Sequence, residues 1–121
     1  MTLAKRNRES DLEAFLVAET RRLGGEAIKQ TGVAGIPDRL VLGPRGQVAW
    51  VELKRKGGAV SMLQLHMIKR LRALGHTAEI VDSKEGVRAV LRRMSWDNDD
   101  SPPFNPADWD DDDSDFSLRR G

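Results

Sequence analysis

GIPDRLVLGPRGQVAWVELKRKGG, residues 35–58, decides the fold of this 121-residue chain. Two aliphatic runs, 38–42 and 48–54, flank Gly43, Pro44, Arg45 and Gly46, the pattern of an antiparallel hairpin closed by Gly57 and Gly58. With the turn over 43–47, Leu42 pairs with Val48, Leu40 with Trp50 and Asp38 with Glu52. Alternate strand residues share a face, so Val48, Trp50, Glu52 and Lys54 point one way and Ala49, Val51 and Leu53 the other. Directly paired residues hold their Cβ atoms about 4.5–5.5 Å apart, and two carboxylates that close repel unless a cation lies between them. A divalent metal resolves the repulsion. Mg²⁺ is the physical match, because it takes oxygen ligands and keeps waters that can be activated. Lys54 then stands beside that water, where it can orient it and stabilise charge developing on a phosphate. By itself an ExK tripeptide is more often an ordinary exposed ion pair, so the weight rests on what surrounds it.

Working outward, Leu12, Phe15, Leu16 and Leu23 recur at helical spacing between Glu9 and Leu23, and Gly24 with Gly25 stops that helix. Residues 26–30 form a weak strand, and Gly32, Gly35 and Pro37 make 31–37 a loop. Beyond the hairpin, Ser61 is the N-cap of a second helix running to about Leu74, with Leu63, Met67, Ile68, Leu71 and Leu74 on its buried side and Gly75 at its stop. A strand over 77–81 follows, and Ser83 with Glu85 opens a third helix carrying Val87, Val90 and Leu91. The order is α, β, β, β, α, β, α.

Charge divides the chain after Trp96. Residues 1–96 carry 18 basic and 10 acidic side chains, whereas 97–121 carry nine Asp against Arg119 and Arg120. The expected organisation is a basic domain over 1–96 and an acidic tail over 97–121, whose DNDDSPPFNPADWDDDDSDF is read as disordered. The body has the charge of a polyanion binder. The tail can mimic a DNA backbone, recruit a basic partner or simply solubilise. With no cysteine there is neither a disulfide framework nor a thiolate zinc site, and His66 and His76 alone cannot close one. No run of 18 apolar residues suggests a membrane span, and charged residues precede any apolar stretch long enough for a signal peptide, so the cytoplasm is the expected compartment.

ESDLEAFLV, GIPDRLVL, VELKRKGG and SMLQLHMIKRLRALGH, in that order over about residues 8–92, resemble the PD-(D/E)xK nuclease superfamily and, within it, the small stand-alone VRR-NUC domains of phage and bacterial type. The resemblance implies a restriction-endonuclease-like α/β core, α-β-β-β-α-β with a small mixed sheet flanked by helices. It also implies metal ligands Asp38 and Glu52 with the carbonyl of Leu53, and Lys54 as the catalytic lysine. Glu9 matches the family's acidic residue of the first helix and Gln64 the glutamine after the ExK strand. A helical wheel at 100° per residue puts Glu9 about 60° from the centre of the Leu12, Leu16 and Leu23 stripe and Gln64 at the edge of its own, so both face inward. Glu13 competes with Glu9 for the place. Glu9 is equally suited to favourable charge in a first helical turn, and Gln64 to bonding backbone at a boundary.

The same resemblance brings Lys29 to the site rim. Arg55 and Lys56 lie where phosphates approach, and Arg39 either contacts a phosphate or pairs with an acid. The implied function is a Mg²⁺- or Mn²⁺-dependent DNA endonuclease acting on branched DNA, Holliday junctions foremost, as a homodimer. A less selective flap or duplex nuclease and a catalytically idle nucleic-acid-binding module keep the same fold.

Overall fold

A computed structural model describes residues 8–94. The expected domain boundary at 96 and the acidic tail lie outside the described residues. Seven elements follow one another: α1 (Arg8–Arg22), β1 (Glu26–Lys29), β2 (Arg39–Leu42), β3 (Val48–Leu53), α2 (Met62–Ala73), β4 (Thr77–Val81) and α3 (Lys84–Arg93). This is the expected order. Among the described residues no helix is long and apolar enough to cross a membrane.

The strands form one mixed sheet in the order β1-β2-β3-β4. The first two pairings are antiparallel, and β3 with β4 is parallel because α2 carries the chain back across the sheet. Leu42 pairs with Val48 and Leu40 with Trp50, the register read from the hairpin. The ladder stops at Arg39 opposite Val51, so β2 begins one residue after Asp38. Lys54 lies just past β3, although its N–H still donates to the Val81 carbonyl at 2.9 Å.

Strand alternation splits the sheet into two faces. Ala27, Val41, Ala49, Val51, Leu53 and Val81 face α1 and α3, where they meet Leu12, Leu16, Val87, Val90 and Leu91 in the larger core. Trp50, Ala78 and Ile80 face α2, packing on Met67, Ile68 and Leu71. Glu52, two residues from Trp50, is on the α2 face. Among the described residues a single helix, α2, covers that face, and the two ends of its predicted stripe escape burial. Leu63 is 48% and Leu74 58% exposed. The first sits in the opening turn of α2 beside the 31–37 loop, and the second is the C-cap, beyond the apolar contact.

Local chemistry ends each helix. In α1, Glu9 and Asp11 occupy the first turn and Arg21 and Arg22 the last, matching the helix dipole at both ends. Gly24 then takes φ 94°, and the Gly25 N–H returns to the Thr20 carbonyl at 2.9 Å. Ser83 caps α3 by accepting the Gly86 N–H at 3.0 Å.

Candidate active site

The carboxyl end of β3 meets the start of β2, and this junction gathers Asp38, Glu52, Leu53, Lys54 and Gln64. Pro37 is fully buried and delivers Asp38 to the sheet end. The two acids brace each other through the backbone. The Asp38 N–H donates to Glu52 Oε1 at 3.2 Å, and the Leu53 N–H donates to Asp38 Oδ2 at 2.9 Å. Carboxylates held by N–H donors on neighbouring strands lose little entropy on meeting a ligand, which is the value of a preorganised site.

Glu52 Oε2 accepts from Gln64 Nε2 at 2.7 Å and lies 3.3 Å from Lys54 Nζ. Both donors are positioned by local structure. Lys54 shares a strand face with Glu52, and Gln64 stands in the first turn of α2 within a capping box. There the Ser61 hydroxyl accepts the Gln64 N–H at 3.0 Å, and Gln64 Oε1 accepts the Ser61 N–H at 3.0 Å. Gln64 thus does both things weighed for it, bonding backbone with its oxygen and the acid with its nitrogen.

Glu52 is only 1% exposed. Burial, and then the negative charge of Asp38, push its carboxyl above the ordinary carboxylate range, and the hydrogen bond and charge of Lys54 offset only part of that. Two carboxylates against one ammonium leave a deficit of positive charge. The donors are all oxygen, which suits a hard divalent cation such as Mg²⁺ or Mn²⁺. Among the described residues no group of three or more His, Cys, Asp or Glu is placed to hold a metal. Mg²⁺ commonly binds through one or two carboxylates, with substrate phosphate and water completing its shell, so this donor set fits it.

Glu9, Lys29 and Arg39 stand outside this cluster. Arg39 makes a forked contact to Glu13 Oε2, at 3.1 Å from Nε and 2.8 Å from Nη2, and its Nη1 donates to the Ala27 carbonyl at 2.8 Å. Lys29 Nζ lies 3.8 Å from the same Glu13 oxygen. Of the two meanings weighed for Arg39, the structure shows the pairing with an acid, which ties α1, β1 and β2 together. Glu13 is that acid. Glu9 is exposed, with no hydrogen bond or ion pair to Asp38, Glu52 or Lys54. It lies one turn beyond Glu13 toward the sheet end where Asp38 emerges. Arg55 and Lys56 are exposed directly after Lys54, and His66 and His76 are exposed away from the acids.

The sequence marked Gly35 as a loop former and the first residue of the GIPDRLVL motif, without a role in the site. Gly35, at φ 81°, passes so close to α2 that a Cβ there would lie 2.7 Å from the Leu63 side chain and 3.0 Å from its carbonyl oxygen. The 31–37 loop and the first turn of α2 therefore hold each other, and with them Asp38 and Gln64. The signal available was a glycine two places before Pro37.

No family model matches the chain. It is 42% identical over 80 residues to "Putative nuclease p44" of Acyrthosiphon pisum secondary endosymbiont phage 1, spanning 64% of this chain and 86% of that protein. A solved structure described as a VRR_NUC domain superposes with a TM-score of 0.65 at 28% identity, covering 70% of this chain and 95% of the other. Sequence and fold comparisons agree, and the chain belongs to the VRR-NUC family of nuclease domains.

Proposed function

We propose that the chain is a divalent-cation-dependent endonuclease that hydrolyses DNA phosphodiesters, with branched DNA, the Holliday junction foremost, as its substrate and two copies acting on opposed strands. The observation that carries the reading is the buried Glu52 braced against a half-buried Asp38 at the end of two strands, with Lys54 Nζ 3.3 Å from Glu52. A neutral structural ion pair does not need a second carboxylate braced against the first.

Asp38 and Glu52, with the Leu53 carbonyl, are the residues that would hold Mg²⁺ or Mn²⁺. When bound, such an ion lowers the pKa of water and withdraws charge from a phosphate. The chain's own groups do the rest. Lys54, half-buried and held by Glu52, presents an ammonium to the negative charge that grows on the phosphoryl oxygens as an incoming water oxygen forms its bond to phosphorus and the strand oxygen departs. Gln64 holds the Glu52 carboxylate in one orientation through its Nε2 while its Oε1 keeps the bond to the Ser61 N–H. Glu9, one turn of α1 from the Glu13–Arg39 tie, matches the family's helical carboxylate and joins the site as substrate closes over the sheet end. The symmetry of a four-way junction supports the two-copy reading, since two sites related by a two-fold axis meet two opposed strands.

Cleavage of a four-way junction, a flap, a plain duplex and a single strand tests this, each with Mg²⁺, Mn²⁺ or EDTA and beside Lys54→Ala. Paired symmetric cuts in the junction that require both metal and Lys54 are expected. Equal cutting of all four substrates overturns the branched-DNA selectivity, and a junction gel shift without cutting in any lane overturns the enzyme. Melting reads the ion directly. Mg²⁺ at a hundredfold excess over its Kd stabilises the fold by about 2.7 kcal/mol, and Asp38→Ala removes that gain.

A further inference from the structure

A cavity of about 230 Å³ opens at the carboxyl ends of the parallel strands β3 and β4, lined by Arg55, Lys56 and Lys84 together with Asp11, Leu12 and Asp82. Arg55 and Lys56 follow Lys54 directly and enter a turn that the Gly58 N–H closes on the Arg55 carbonyl at 2.8 Å, which brings both cations from the catalytic lysine to the cavity.

Lys84 opens α3 at the edge of the cavity, and a row of cations runs on from it along that helix. Lys84, Arg88 and Arg92 are spaced four apart and all are exposed, so they lie along one side of α3. Lys84 Nζ and the Arg88 guanidinium both rest on the Phe15 ring, 5.2 and 5.1 Å from its centroid, which fixes their stems against α1 and leaves their charge at the surface. Arg88 also faces Glu19, which is tied to Arg22, whereas Arg93 is bonded directly to Glu79 at 2.5 Å. Like charges four apart on a helix repel, and a fold that aligns three of them gains when a polyanion lies alongside.

Asp11 and Asp82 cancel two of the three positive charges in the cavity. A net charge of one is too weak to hold a small free anion, yet it suffices as one station in a continuous row of cations. We propose that Arg55, Lys56, Lys84, Arg88 and Arg92 form a track for the DNA backbone leading away from the scissile phosphate, with the cavity seating one phosphodiester of that strand. The track rests on the nuclease reading of Asp38, Glu52 and Lys54 and adds α3 to the substrate surface.

The test is the Lys84→Ala/Arg88→Ala double variant, with Arg70→Ala on the exposed face of α2 as control and circular dichroism to check folding. Binding of a labelled flap duplex is followed by fluorescence anisotropy in EDTA across a salt series, and single-turnover cleavage is measured in Mg²⁺. Loss of two phosphate contacts lowers the slope of log K against log salt by about 1.8 and weakens binding at low salt by tenfold or more. KM rises and the rate at saturating substrate stays as in the parent, while Arg70→Ala changes none of these. Unchanged slope and KM in a double variant whose parent binds and cleaves overturn the track and leave the nuclease standing. A parent that neither binds nor cleaves overturns the nuclease reading beneath it. Stabilisation of the parent by millimolar inorganic phosphate, lost in the double variant, overturns the track in favour of a discrete anion site.

Discussion

Alanine at Gly35 and at Gly32 separates two costs that a loop glycine can carry. Both residues have positive φ, 81° and 90°, where an L side chain costs about 1–2 kcal/mol. At Gly32 a Cβ meets nothing within 4 Å, so Gly32→Ala carries that cost alone. At Gly35 the Cβ would also lie 2.7 Å from Leu63 Cγ, 3.0 Å from its carbonyl oxygen and 3.2 Å from its carbonyl carbon. The leucine side chain is exposed and can swing aside, but the carbonyl belongs to the first turn of α2 and cannot. Crowding of this kind adds about 1–3 kcal/mol, so Gly35→Ala should melt lower than Gly32→Ala, each kcal/mol counting for about 4–8 °C in a unit of this size. The displaced loop carries Pro37 and Asp38, and the displaced helix carries Gln64. A shift of 1 Å in a reacting group can cost about 100-fold in rate, so a shift of a few tenths should slow single-turnover cleavage by about tenfold. Melting by circular dichroism, with cleavage measured well below both transitions, reads the two effects apart. Equal melting temperatures and equal cleavage rates for the two variants would refute the claim that the contact between the loop and α2 holds the site.

Three further outcomes follow from the same geometry. The folded state binds a proton on Glu52 more tightly than the unfolded chain, whose carboxyl titrates near the ordinary 4.5. The stability this contributes is complete below that pH and is lost as pH rises through the raised folded value, so in EDTA the parent should lose melting temperature relative to Glu52→Gln over that interval; a relative gain contradicts the burial argument. Gln64→Ala removes the Glu52 bond and the side-chain half of the capping box, the bond from the Ser61 N–H, at about 1 kcal/mol for the latter, while the Ser61 hydroxyl cap remains; Gln64→Glu restores only the box. Hydrogen exchange in the first turn of α2 should recover in the glutamate variant and cleavage should not. Arg39→Ala strands the half-buried Glu13 and should lower stability by about 1–3 kcal/mol, with DNA affinity less affected than by Arg55→Ala; the reverse ranking in a binding titration would make Arg39 a phosphate ligand.

Much of this protein is written in local sequence. The hairpin register follows from a five-residue turn between two aliphatic runs, because strand pairing is dictated by turn length and by a period of two that a one-residue slip would invert. That register placed Asp38 opposite Glu52, and Ser61, Gly75 and Ser83 marked the helix ends by capping chemistry that needs no distant partner. Periodicity likewise separated the face of Val51 and Leu53 from the face of Glu52. Tertiary structure decided what a one-dimensional pattern does not encode. Leu63 and Leu74 continue an apolar stripe, but whether they are buried depends on how far the sheet extends beneath α2. Glu9 and Glu13 lie on the same side of α1, and only the meeting of α1 with β1 and β2 gave Glu13 to Arg39. Gly35 and Leu63 are 28 residues apart, and a close approach between backbones leaves no trace in either neighbourhood beyond a glycine that any loop could use. Side chains obey local periodicity, but their partners are chosen by how the layers stack, and that is a property of the whole fold.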